Sequence, residues 1–185
     1  GLALAGGFGA LASRVPAGRV NGGVANPLSR IAMHAFGIEK RAPWPRFAPI
    51  PLRRALAARR EGAVTAKTVA FFPGCFIRYY EPHVGLDLIA LLERAGYSVI
   101  VPEGFSCCGL PLIAGGYAGD ALDKARSNSL ELARWTKQGV PVMTACPSCA
   151  LMLKHEYRDM FPGEEGLGAY AGNVVDACDF VAGLI

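Results

Sequence analysis

Five of the six cysteines in this 185-residue sequence fall into three groups. Cys75 stands in FFPGCF, Cys107 and Cys108 are adjacent in GFSCCGLPL, and Cys146 and Cys149 form a CxxC in TACPSCALM. The spacing is one cysteine, thirty-one residues, CCG, thirty-six residues, CxxC. Adjacent cysteines do not readily bond to each other, because the trans peptide between them holds their Cβ vectors away from disulfide geometry. Two sulfurs side by side point instead to a shared inorganic ligand or to thiol redox chemistry.

The residues alone leave several chemistries open. Cysteine is often only a small buried hydrophobe, and Cys178, outside the pattern, is read that way. For the other five that reading needs three coincidences. A tetrahedral zinc site completed from three loops leaves one sulfur idle. A thioredoxin-like pair, with Cys146 acidified by a helix N-terminus, explains the CxxC but not Cys75 or the adjacent pair. An iron–sulfur cluster uses thiolates and backbone N–H groups aimed at sulfur, which glycines 74 and 109 and a helix start beside Cys146 could supply.

The elements that must position these residues begin at Lys67. KTVAFFPG, YSVIVPE and PVMTA read as buried strands, being short, apolar and rich in β-branched and aromatic residues. Between them, Val84, Leu88, Leu91, Leu92 and Ala95 follow helical spacing, closed by Gly96. A longer helix over 117–138 carries Leu122, Ala125, Ser129 and Leu132 on one face, and Pro147 opens a third helix running to about Phe161. This alternation predicts a small three-layer α/β domain with a parallel sheet. Loops after the strands emerge at the C-terminal edge, where open α/β sheets bind ligands, so five thiols are expected on one rim.

Residues 1–64 read as an N-terminal extension and 65–185 as the cysteine-rich domain. In the extension, NPLSRIAMHAFG predicts a short helix with Asn26 as cap, Pro27 at its first position and Gly37 as stop. Prolines and arginines in APWPRFAPIPLRR exclude a long helix, and the rest reads as an extended arm or linker. The opening GLALAGGFGALA is too rich in glycine for a stable membrane-surface helix and reads as packed or irregular. With no methionine at its start, the sequence is expected to be an excerpt of a longer protein.

Composition narrows the classes. The sequence is 52% hydrophobic, with a mean hydropathy of +0.28, yet it has no run of about twenty uncharged apolar residues. Its net charge of +4 is dispersed, and no nucleic-acid partner is expected. No secretory signal is visible, and clustered cysteines suit a reducing compartment. No Ser–His–Asp order, P-loop or GxGxxG is present, and no catalytic side chain is assigned. His83 and His155 are expected at the surface. Arg78 and Lys154 are candidates to balance thiolate charge.

The three-part spacing with its flanking PGC, CCGLP and CPSC resembles the CCG (cysteine-rich) domain. That module occurs in heterodisulfide reductases and in the iron–sulfur subunits of glycolate and lactate oxidases and anaerobic glycerol-3-phosphate dehydrogenases. The wording NPLSR, GIEKRAPWPRFA, FFPGCF, CCGLPL and TACPSCALMLKHEY is most similar to the last of these, or to related regions of FAD-linked oxidases, across most of residues 26–161. The resemblance implies a [4Fe–4S] cluster, cubane or noncubane, held by Cys75, Cys107, Cys108, Cys146 and Cys149. It further implies an electron-transfer subunit or fragment of an oxidoreductase, partnered by a flavin dehydrogenase subunit or domain carrying FAD. Electrons would pass toward quinone, with the protein cytoplasmic and peripheral on the inner face of the membrane. An upstream ferredoxin-like pair of C-x₂-C-x₂-C-x₃-C-P runs and a second CCG copy, found in the glycerol-3-phosphate dehydrogenase members, are absent from these residues. Two alternatives stand beside this reading: a zinc-bound or metal-free docking module, and thiol–disulfide catalysis at the cluster as in heterodisulfide reductase.

Overall fold

A computed structural model describes residues 15–35, 39, 45–59, 64–161 and 170–184. Four short strands, β1 (Thr68–Phe72), β2 (Ser98–Ile100), β3 (Val142–Thr144) and β4 (Val174–Asp176), form one sheet in the order β2-β1-β3-β4. Every pairing is parallel, and Ala70 lies opposite both Ile100 and Val142. The three strands expected from the sequence are present. The fourth was not anticipated, because VVD is too short to carry a period.

Ten helical segments are present among the described residues: α1 (Ala17–Ala25), α2 (Pro27–Ala35), α3 (Leu52–Ala55), α4 (Gly74–Tyr79), α5 (Pro82–Arg94), α6 (Leu110–Ala114), α7 (Ala118–Thr136), α8 (Pro147–Leu151), α9 (Tyr157–Met160) and α10 (Ala177–Ala182). A π-helical turn, Met152–Glu156, joins α8 to α9, and a 3₁₀ turn, Ala171–Asn173, precedes β4. Alternation along the strands divides the core into two layers. Val69, Phe71, Val99 and Met143 pack with Leu52, Ile77, Ile89, Leu92 and Ala177 from α3, α4, α5 and α10. Ala70, Phe72 and Val142 face the other way, onto Ala125 and Leu132 of α7 and onto Cys149, Leu153 and Tyr157. This is the expected three-layer arrangement.

The predicted helices form, but their buried faces differ in detail. In α7 the core residues are Ala121, Ala125, Asn128, Ser129 and Leu132, whereas Leu122 is exposed. In α5 they are Gly85, Ile89 and Leu92; Val84, Leu91 and Ala95 face outward. A helical period defines a stripe, and the neighbouring layer decides which edge of it is covered. In the extension, the Leu28 N–H donates to Asn26 Oδ1 at 2.9 Å, and Pro27 opens α2 as anticipated. The expected stop at Gly37 and the opening GLALAGGFGALA lie outside the described residues. The helix α1 was not anticipated; Asn21 within it bonds both the N–H and the carbonyl of Phe47, at 2.9 and 3.0 Å.

Candidate metal centre

The sheet order reverses between β1 and β3, since the chain runs from β1 outward to β2 and then crosses back to β3. A crevice at the carboxyl ends of the strands forms at such a reversal. Cys75 follows β1 and Cys146 follows β3, so these two cysteines flank it. Cys107 and Cys108 lie in the loop after β2, just before α6.

Two glycines shape the loops. Gly74 has φ +65°, and a side-chain carbon there would lie 2.9 Å from Cys149 Sγ, so only glycine lets the β1 loop pass the CxxC. Gly109 caps α6 at φ +88°, which turns the backbone sharply behind the cysteine pair. Cys146 occupies the N-cap position of α8, ahead of Pro147. Its side chain makes no capping hydrogen bond, but the nearby Ser148 and Cys149 N–H groups favour its thiolate form.

The five thiols lie close enough to shift one another's titration. Cys107 accepts from the Cys108 and Cys75 thiols and from the Gly109 N–H, with the Lys124 ammonium nearby; its pKa falls from 9.0 to about 3. Cys146 is lowered to about 6, first by the Cys149 thiol and then by backbone N–H groups. The donors move the other way. Sharing its proton with Cys107 pushes Cys108 up to about 12, despite donation from Cys149 and the Leu110 N–H. Cys75 is raised by its bond to Cys107 and by burial, and Cys149 by its bonds to Cys108 and Cys146 and by burial. Neighbouring thiols and amide N–H groups thus favour the thiolate form at Cys107 and Cys146 over the other three.

All six cysteines are free thiols. Among the described residues, no group of three or more histidine, cysteine, aspartate or glutamate side chains is arranged to hold a single metal ion. Beside Cys75 and Cys107 opens a cavity of about 170 Å³, also lined by Gly74, Ser106, Arg78 and Lys124. The donor set fits an iron–sulfur cluster chemically: soft thiolates, amide N–H groups aimed at sulfur and two cations against the negative charge.

Arg78 lines the cavity beside Cys75 and Cys107. The lysine acting on a thiol is Lys124 of α7, which the sequence reading did not single out. His83 is exposed, with Nδ1 3.3 Å from Glu81 Oε2, and His155 is exposed on the π turn, so both are surface histidines. Cys178 is a correction. It is exposed rather than buried, because the second position of α10 faces solvent; its N–H bonds the capping Asp176 carboxylate at 2.8 Å.

Sequence reasoning also missed a buried polar network behind the cysteine pair. Asn128 Oδ1 accepts from the N–H and hydroxyl of Ser106 at 2.8 and 3.2 Å. Asn128 Nδ2 donates to the Cys107 carbonyl at 3.0 Å and to the Tyr157 hydroxyl at 2.9 Å, and that hydroxyl donates to the Cys108 carbonyl at 3.0 Å. The available signal was an asparagine at helical spacing on the buried face of α7.

These features define a class: a parallel α/β domain that presents a thiol-rich crevice at the reversal of its sheet. Residues 69–154 match the family model of the CCG cysteine-rich domain. The chain is 34% identical over 139 residues to a subunit of the anaerobic glycerol-3-phosphate dehydrogenase of Escherichia coli, covering 72% of this chain and 34% of that protein. It is 28% identical over 121 residues to lactate utilization protein A 1 of Bacillus anthracis, covering 63% and 48%. An iron–sulfur protein of Methanocaldococcus jannaschii is 35% identical over 92 residues, covering 49% and 18%. The chain thus spans from under a fifth to about half of these relatives' lengths. No solved structure matches it.

Proposed function

We propose that Cys75, Cys107, Cys108, Cys146 and Cys149 together hold a [4Fe–4S] cluster, and that the domain is the electron-transfer module of a flavin-dependent dehydrogenase. The observation that carries the reading is the placement of all five cysteines beyond the carboxyl ends of β1, β2 and β3, at the reversal of the sheet. Relatives named as a dehydrogenase subunit, a lactate utilization protein and an iron–sulfur protein support it. The substrate oxidised by the partner is of the glycerol-3-phosphate or 2-hydroxy acid type, FAD sits on a partner subunit or domain, and electrons pass toward quinone at the inner face of the cell membrane. No helix among the described residues is long and apolar enough to cross a membrane, so the association proposed is peripheral. The division into an extension, 1–64, and a cysteine-rich domain, 65–185, belongs to the same proposal.

When bound, the cluster supplies one-electron transfer, and the chain's own residues prepare its seat. Cys107 and Cys146 enter as thiolates. Lys124 acts on Cys107 and, with Arg78, lines the cavity beside Cys75 and Cys107. On the inner side Phe72 and Phe105, whose ring centroids are 5.0 Å apart, belong to the same buried cluster as Cys108 and Cys149 and keep water from that wall.

The test is anaerobic purification with iron, sulfide and zinc analysis and a visible spectrum, on the wild type and on Cys108→Ser. About four irons and four sulfides per chain, lost in the variant, are expected. Stoichiometric zinc, or a stable chain that takes up no iron, would sink the electron-transfer reading.

A further inference from the structure

We infer that Tyr157 and Asn128 are positioning residues for the adjacent cysteines, acting through the peptide planes on either side of Cys108; the inference rests on the cluster reading above. Both side chains are fully buried, and neither touches a sulfur by the hydrogen bonds described. What they hold are two successive carbonyls, of Cys107 and of Cys108.

In a planar trans peptide the C=O and the following N–H point in opposite directions. The Tyr157 hydroxyl, fastened 3.0 Å from the Cys108 carbonyl, therefore turns the Gly109 N–H the other way. That N–H is the one facing the Cys107 sulfur. The path runs from phenol hydroxyl to carbonyl, through one peptide, to amide N–H and sulfur. Asn128 does the same one residue earlier: holding the Cys107 carbonyl at 3.0 Å directs the Cys108 N–H away from α7. The two clamps are themselves joined at 2.9 Å, and Asn128 also ties down Ser106, so three consecutive loop residues are held.

Hydrogen bonds in such a chain polarise one another, so the contact at the carbonyl strengthens the donor aimed at sulfur. Hydrogen bonds to sulfur are among the factors that set a cluster's potential. Tyr157 and Asn128 therefore fix both the direction in which the pair presents its thiols and the electron density on Cys107.

Tyr157→Phe removes one hydroxyl and keeps the ring in place. Its control is Tyr170→Phe, which deletes another buried phenol of the same layer, bonded at 2.8 Å to Ser129 rather than to the cysteine loop. On the metal-free chain, Tyr157→Phe is expected to change the ratio of Cys107 to Cys108 alkylation, read by mass spectrometry, by about fivefold, the factor that one net hydrogen bond represents. Tyr170→Phe should leave that ratio unchanged. On the loaded chain, Tyr157→Phe is expected to shift the midpoint potential and alter the electron paramagnetic resonance line shape, while Tyr170→Phe lowers stability alone. Asn128→Leu, which empties both ends of the bridge, should enlarge the change. Equal effects from the two tyrosine variants, or none from Tyr157→Phe, would overturn the positioning role. If the wild type takes up no iron, the cluster reading falls by itself, and the alkylation ratios still decide this inference.

Discussion

The two faces of the sheet are built on different rules. One layer, where Val69, Phe71, Val99 and Met143 meet Leu52, Ile77, Ile89, Leu92 and Ala177, has only apolar residues in its buried cluster. The other holds the buried cysteines, the buried Asn128 and Ser129, and two buried phenols, Tyr157 and Tyr170. Among the described residues every buried polar side-chain atom in it has a partner. Burying apolar surface is non-directional and contributes stability from either face. Buried hydrogen bonds contribute less net stability but fix direction. The apolar layer therefore holds the sheet together, while the polar layer determines where its loops point.

That contrast can be broken from either side. The largest loss of stability is expected from the apolar layer: Leu92→Ala, at a fully buried site, should cost about 2–5 kcal/mol in urea unfolding. Iron bound per folded chain should stay at the wild-type value. A fall in iron content would show that the two layers are not separate in function.

Gly74→Ala should reverse the pattern. A left-handed residue with a side chain costs roughly 1–3 kcal/mol, and here the new carbon also meets Cys149 Sγ at 2.9 Å. Iron per folded chain should drop more steeply than stability. Full iron loading in this variant would mean that the close passage of the two loops is incidental.

The polar layer should also be the one that alkali weakens. Burial raises Tyr170 from 10.0 to about 12, despite its bond to Ser129, so the fold favours the neutral phenol. Its contribution to stability is complete below pH 10 and is lost as pH rises through about 12. Urea midpoints measured across that range should decline, and Tyr170→Phe should flatten the decline. A residual slope should remain from Tyr157, which burial raises further. An identical slope in the variant would remove Tyr170 as its source.

The smallest effect belongs to neither layer. Leu130 is 64% exposed on the outer side of α7, and Leu130→Lys should change stability by no more than about 0.5 kcal/mol, with iron content untouched.

Much of this organisation is legible in the residues. TVAFF is buried along its whole length in β1 because a parallel strand is covered on both faces, and such strands read as continuous apolar runs. The order strand, helix, strand, helix, strand then places Cys75, Cys107, Cys108, Cys146 and Cys149 on one rim before any coordinate is known. The fourth strand was not legible, since its three residues pair only because β3 already offers an open edge. Nor was the exposure of Cys178 at the second position of α10.

Local chemistry in the sequence therefore determined which sulfurs lie at the strand ends, because period and turn residues act over a few neighbours. The tertiary structure alone decided what supports them. Tyr157 follows Cys149 by eight positions, which in an unbroken α-helix would turn it about 80° off that face. The π turn at Met152–Glu156 absorbs one extra residue and makes the spacing equivalent to seven, about 20° off. Tyr157 is thereby brought to Asn128, twenty-nine positions earlier, and to the Cys108 carbonyl, forty-nine positions earlier. Contacts at such separations form only when the layers pack, so no local pattern in the chain could announce them.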